Sequence, residues 1–291
     1  MSPDRSEDAP NDYLSLEQNF DAPTRRIPNL GHALAFVSFT GALLIFLELM
    51  LAAMGMAPGT VKNGVIVLPH PKLQIATLIA TYLTTLAAAS LIFPHLWQRS
   101  FIDGIEWRWT VARTRAGSLI GLGLLLGVAV QVLTYFITPP KTLPVDDFLR
   151  TQSDAWLITL FGTILAPLFE EICFRGFLLP AIAIAFDWLR LPRTEEARAR
   201  WQSTTTLTPA AWIVSALLTS AVFAMMHRQQ VAHLWAALLV LFSISLVLTL
   251  VRVKNRSVAA SFLVHAAYNG FIFLLVLFQT GGYRHLERMT R

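Results

Sequence analysis

The chain has 291 residues, 55% of them hydrophobic and only 14% charged, with a formal net charge of +5. Soluble domains carry about a quarter charged residues, and the apolar residues here arrive in long unbroken runs, which excludes an ordinary soluble fold. Runs of roughly 20 apolar residues cross the ~30 Å hydrocarbon layer as helices. The expected fold is therefore all-α, a polytopic transmembrane helix bundle of seven or eight spans. The basic residues occupy short loops between apolar runs, so membrane lipids rather than nucleic acid are the expected surroundings. Cys173 is the only cysteine, which excludes an internal disulfide framework.

In chain order, residues 1–30 are polar and lack the basic start and apolar core of a signal peptide. They read as a mobile tail ahead of one transmembrane domain, 31–280, followed by a C-terminal tail, 281–291. Spans are expected near 31–57, 74–95, 116–138, 155–186, 211–227, 231–252 and 257–280. The fourth is too long for one perpendicular crossing and contains Pro180, so it is tilted, kinked, or split into a span and a re-entrant piece. Lys and Arg number three in the N-terminal tail, four in 96–115, four in 187–210 and three in 252–256. The alternate loops hold two in 58–73, two in 139–154 and one, Arg228. The richer set is expected in the cytoplasm, with the N-terminal tail, at a cell (inner) membrane. Arg284, Arg288 and Arg291 in the C-terminal tail run against this pattern for seven spans, and an eighth would remove the conflict. Trp97, Trp107, Trp109, Trp188, Trp201 and Trp212 border apolar segments, as an aromatic belt requires.

Among the acidic residues only Glu48, Glu170 and Glu171 fall inside these segments, and Arg175 is the one clearly internal base. An ionisable group at membrane depth costs about 2.5–3.5 kcal/mol, so such groups are paired, hydrated or functional. Glu171 and Arg175 are four apart with Glu first, the favourable order for an ion pair on one helix face. Glu170 points about 100° away from Glu171 and has no obvious cation. Burial favours the protonated form of a carboxyl group, a property that general bases use. His227 closes the fifth segment. His265 and Asn269, four apart in the seventh, share one face. Taken singly, these are an ion pair that joins helices, an interfacial histidine, and interhelical hydrogen bonds worth about 0.6 kcal/mol each. Together they resemble a base with hydrogen-bond donors. His265 and Asn269 lie ~13–20 Å from the cytoplasmic end of their span and His227 about 25 Å from the start of its own, so the fifth segment must begin later, tilt or sit lower. Glu48 lines a water-filled entrance or lies near its span end, and His95 and His233 are interfacial.

Three motifs occur in order: Glu170-Glu171 with Arg175, Phe223 with His227, and His265 with Asn269. Over about 155–280 the chain resembles the CAAX proteases and bacteriocin-processing enzymes, which include the eukaryotic Ras-converting endopeptidase. The resemblance implies a glutamate-dependent intramembrane endopeptidase without a covalent acyl-enzyme and without a cofactor, acting on a membrane-associated peptide or protein, lipidated and CAAX-like or not. It implies Glu170 as the base that activates water, His227 as a partner in holding that water, and His265 and Asn269 as oxyanion donors. Glu171, Arg175 and Phe223 are implied as supporting residues.

Three other readings stand beside it. A zinc protease would use His227, His265 and a glutamate as ligands, although His-Glu-x-x-His is absent and Asn269 is a poor zinc ligand. A non-catalytic scaffold, regulator or immunity-type protein of the same family has little reason to keep every catalytic side chain. A transporter using Glu48 and Glu170 as a proton relay would carry repeated, interrupted helices, and no such symmetry is seen. A Gly-x-Ser-x-Gly nucleophile and a central aspartate are both missing, which disfavours serine and aspartyl types.

Overall fold

Lipid offers the backbone no hydrogen bonds, so each apolar run must satisfy its own, and a helix does this. The computed structural model describes residues 26–56, 60–62, 65–67, 70–136 and 148–290. Most of the expected N-terminal tail lies outside these residues, as do position 57 of the first expected span and 137–138 of the third. α1 (Leu30–Ala53) starts at Asn29, whose side chain accepts from the His32 N–H while the His32 ring accepts from the Asn29 N–H. A small antiparallel hairpin follows, β1 (Thr60–Lys62) against β2 (Val65–Val67), with Thr60 opposite Val67. It is the only strand pair among the described residues of an otherwise helical fold. Then come α2 (Pro71–Trp97), two short helices, α3 (Phe101–Gly104) and α4 (Trp109–Thr114), and α5 (Ala116–Tyr135).

The fourth expected span is one continuous helical segment of 39 residues, Gln152–Arg190, not a span plus a separate re-entrant piece. It comprises α6 (Gln152–Leu160), a π-helical segment Phe161–Leu165, α7 (Ala166–Glu171), a second π-segment Ile172–Leu178, and α8 (Leu179–Arg190). Leu191–Thr206 belongs to a unit distinct from the bundle; in it Thr194 caps α9 (Glu195–Ser203) by accepting from the Ala197 N–H. The bundle closes with α10 (Pro209–Met226), α11 (Trp235–Asn255) and α12 (Val258–Gln279). Seven helices among the described residues are long and apolar enough to cross a membrane, so the protein is a multi-pass membrane protein.

The connections meet in the order that alternating spans require. At one end Glu106 reaches Arg252 at 2.8 Å and Arg256 at 3.6 Å. There too the Val258 N–H donates to the Glu106 carbonyl and the Ser257 hydroxyl to that of Arg108. Two of the loops rich in basic residues thus share an end. At the other, Gln74 donates to Glu48, Lys72 pairs with Asp154, and Gln152 donates to the Gly282 carbonyl. Glu48 is therefore a near-terminal residue with a partner on α2. The last segment packs down: Tyr283 is buried, edge-on to Trp156 and bonded to Thr159 at 2.6 Å. Arg284 and Arg288 thus lie at the end poorer in basic residues. His95 and His233 are exposed. Trp97 is no belt residue: it is buried, stacked on Phe93 and Phe101.

α5 and α12 pack tightly, and Gly123 and Gly127 make that approach possible. A Cβ at 123 would stand 2.5 Å from the Val264 carbonyl, and one at 127 would collide with the Phe271 ring. This is the close packing that small residues four apart permit in membranes. The depth mismatch between His227 and His265 also resolves. Val258, at the start of α12, shares a buried cluster with Phe177, Trp97 and Ile105. Asp187 lies ten residues beyond Phe177, about 15 Å further along, and there accepts from the Thr208 N–H and hydroxyl at 2.7 and 2.5 Å. α10 therefore starts well beyond the start of α12 and runs back beside α8.

Candidate active site

Two prolines shape the helix that carries the glutamates. Proline has no N–H and blocks the regular ladder of an α-helix, and wide π-turns are one way membrane helices absorb it. The Ala166 N–H, just before Pro167, reaches back five residues to the Phe161 carbonyl. The Leu179 N–H, just before Pro180, reaches back to that of Phe174 in the same way. Glu170 and Glu171 occupy the short α-helical piece between these two π-segments.

Glu171 and Arg175 form the expected pair, 2.9 Å apart and both wholly buried. Arg175 also donates to the carbonyl and the hydroxyl of Ser245 on α11, at 2.9 and 2.7 Å. Its guanidinium lies 5.0 Å from the centre of the Phe223 ring, a cation–π contact that ties in α10. His265 from α12 places Nδ1 2.9 Å from the Glu171 oxygen that already accepts from Arg175. A guanidinium only donates and the carboxylate beside it only accepts, so His265 Nδ1 carries the proton. The Phe223 carbonyl lies 2.8 Å from His227 Nδ1, and a carbonyl only accepts, so this Nδ1 is protonated as well. Both rings therefore turn Nε2 toward Glu170, at 3.9 Å for His227 and 3.8 Å for His265.

Access separates the two carboxylates. The Glu170 side chain is 18% exposed and that of His227 17%, against 0% for Glu171 and 4% for His265. Glu170 and His227 keep exposed surface; Glu171 meets only protein. Of the residues singled out in the sequence, Glu170, Glu171, Arg175, Phe223, His227 and His265 thus come together. Asn269 sits one turn along α12 from His265, and its Nδ2 donates to the Gly162 carbonyl in the first π-segment at 2.8 Å. Two partners went unread in the sequence, Ser245 and Gly162. A serine inside an apolar run and a glycine five residues before a proline are the signals each leaves, and both are common. No group of three or more His, Cys, Asp and Glu side chains among the described residues is arranged to hold a metal ion.

Within this multi-spanning helical membrane protein a partly exposed carboxylate thus faces two imidazoles. Residues 152–271, about two-fifths of the chain, match the family model described as Rce1-like, type II CAAX prenyl endopeptidase Rce1-like. This part of the chain is a domain of the CAAX-protease family, a family of proteases, and it contains every residue of the cluster. No curated protein and no solved structure matches the chain.

Proposed function

We propose that the protein is an intramembrane endopeptidase in which Glu170 activates water. One observation carries this reading: the Nε2 atoms of His227 and His265 converge on Glu170, the one carboxylate of the cluster with exposed surface. A water held between Glu170 and His227 Nε2, to which it donates, attacks the substrate directly, with no covalent acyl-enzyme. It gives one proton to Glu170 as its oxygen bonds to the scissile carbonyl carbon. The oxyanion that forms is met by His265, which needs a proton on Nε2 as well as Nδ1; the Glu171 carboxylate at Nδ1 supports that charged ring. An amide nitrogen has two hydrogens, and Asn269 uses one on Gly162, leaving the other for the oxyanion. Glu170 then passes its proton to the leaving amine as the C–N bond breaks. Donors set in place before charge develops commonly contribute most to such catalysis.

The substrate class is a peptide bond in a membrane-associated peptide or protein, and the loops rich in basic residues face the cytoplasm. The same two Nε2 atoms and Glu170 are also ligand types of a catalytic zinc site, so chelation belongs in the test. Purified wild type and Glu170→Gln are incubated with lipidated and unlipidated membrane peptides, with and without a zinc chelator. Cleavage that survives chelation and vanishes in the variant is expected. Loss on chelation with recovery on added zinc would instead make the site a metalloprotease. Equal cleavage by the variant would refute Glu170 as the base, and absence of any cleavage would favour a scaffold or regulator.

A further inference from the structure

Neither regular helical register gives the Gly162 carbonyl a donor. In α-helical register its partner is the Ala166 N–H, which bonds to the Phe161 carbonyl instead. In π-register its partner is residue 167, and Pro167 has no N–H. Asn269 Nδ2 fills the gap at 2.8 Å. α12 comes close enough because Gly162 has no side chain, where a Cβ would stand 2.7 Å from the Phe273 ring, and because Gly270 faces Thr163.

We infer that Asn269 supplies the hydrogen bond that Pro167 cannot, and so acts as a positioning residue for Glu170. If that donor is removed, the Gly162 carbonyl recovers a partner only by taking the Ala166 N–H back into α-register. That closes the wide turn and rotates everything after it by up to about 100°. Glu170 lies just beyond the turn, and rotation carries its carboxylate away from His227 and His265. This role rests on the protease reading for its catalytic consequence, but the hydrogen bond itself does not. It also uses a different Nδ2 hydrogen from the one offered to the oxyanion.

The two roles separate by restoring an N–H at position 167. Asn269→Ala, Pro167→Ala and the double variant are compared for kcat and KM on a cleaved peptide and for thermal midpoint in detergent. Pro167→Val, with and without Asn269→Ala, is the second route should the alanine variant fold poorly. Asn269→Ala is expected to lower kcat with little change in KM, and to lower the midpoint. The double variant is expected to regain about tenfold in kcat, the worth of one hydrogen bond, with a higher midpoint than Asn269→Ala. Pro167→Ala alone keeps Asn269 on the Gly162 carbonyl and is expected to match wild type; a slower one would show that the proline, not Asn269, holds the turn, and overturns the inference. A backbone N–H at 167 cannot replace an oxyanion donor, so a double variant as slow as Asn269→Ala overturns it as well. Double variants less stable than Asn269→Ala on both routes overturn it too. If wild type cuts no peptide, the protease reading fails while the midpoints still decide the hydrogen bond.

Discussion

Replacing Arg175 with methionine keeps most of the side-chain volume and removes the charge. In the native protein Arg175 donates to Glu171, to the Ser245 carbonyl and to the Ser245 hydroxyl, and covers the Phe223 ring. The variant leaves Glu171, which has no exposed surface, with only His265 and the Ser261 hydroxyl as partners. Breaking a buried pair from one side costs about 3–5 kcal/mol, chiefly through the charge left behind. The lost cation–π contact, about 0.5–2 kcal/mol, lies within that figure and is not added to it. Glu171→Gln with Arg175→Met removes both charges, and neutral replacement of a buried pair is often harmless. The double variant is therefore expected to be more stable than Arg175→Met alone, with a coupling energy of about 2 kcal/mol or more. Reversible unfolding in mixed detergent micelles, followed by circular dichroism, measures all three proteins. Arg175→Met within about 1 kcal/mol of wild type would refute the reasoning, as would a double variant no more stable than the single one.

Glu170→Gln is expected to reduce turnover by about 10²–10⁴ with little loss of stability, since its carboxylate lies 3.8–3.9 Å from both imidazoles, beyond hydrogen-bond distance; kinetics alongside a melting curve check both halves. Asn269→Ala is expected to lower turnover by about 10²–10³ if it also serves the oxyanion, and an effect on KM alone would contradict that. Gly123→Leu is expected to prevent folding, because its Cβ alone stands 2.5 Å from the Val264 carbonyl, and a monodisperse, thermally stable variant would show that α5 and α12 are not locked together. Burial raises the Tyr283 hydroxyl above the ordinary tyrosine value, opposed by its bond to Thr159. The folded state then favours the protonated phenol, so this contribution is complete below about pH 10 and is lost as pH rises above it. Wild type should accordingly lose more stability than Tyr283→Phe between neutral and strongly alkaline pH, and parallel curves would contradict the burial.

The long helices were legible because an apolar run of span length admits few other structures, and Glu170, Glu171 and Arg175 were legible because charge at that depth needs a reason. The Glu171–Arg175 contact follows from spacing on a single helix. The third partner of Arg175 does not: Ser245 lies 70 residues away in sequence, and one serine in an apolar run carries no address. The two π-segments escaped notice because their cause, Pro167 and Pro180, reads equally well as a kink or a break. Helix length alone leaves the depth of His227 open, since nothing local reveals that α12 begins about 15 Å short of the point where α8 and α10 meet. Gly123 and Gly127 carried a readable packing signal that the apolar background concealed. Trp97 had the flanking position of a belt residue, but four aromatic rings, Phe93, Phe101, Phe177 and His32, enclose it.

The single ring of His265 is bonded to Glu171 and only faces Glu170, and this divides the motif into parts with unequal freedom to change. A descendant that had given up hydrolysis could lose Glu170 and His227, which keep exposed surface, without leaving any buried charge alone. It could not shed Glu171, Arg175 or His265 one at a time, because each is the others' means of being buried. Drift in a retired enzyme would thus erase the first glutamate and preserve the second with its arginine. On the proposed mechanism, then, Glu171 and Arg175 are held by the cost of burying charge, and Glu170 by its chemistry alone.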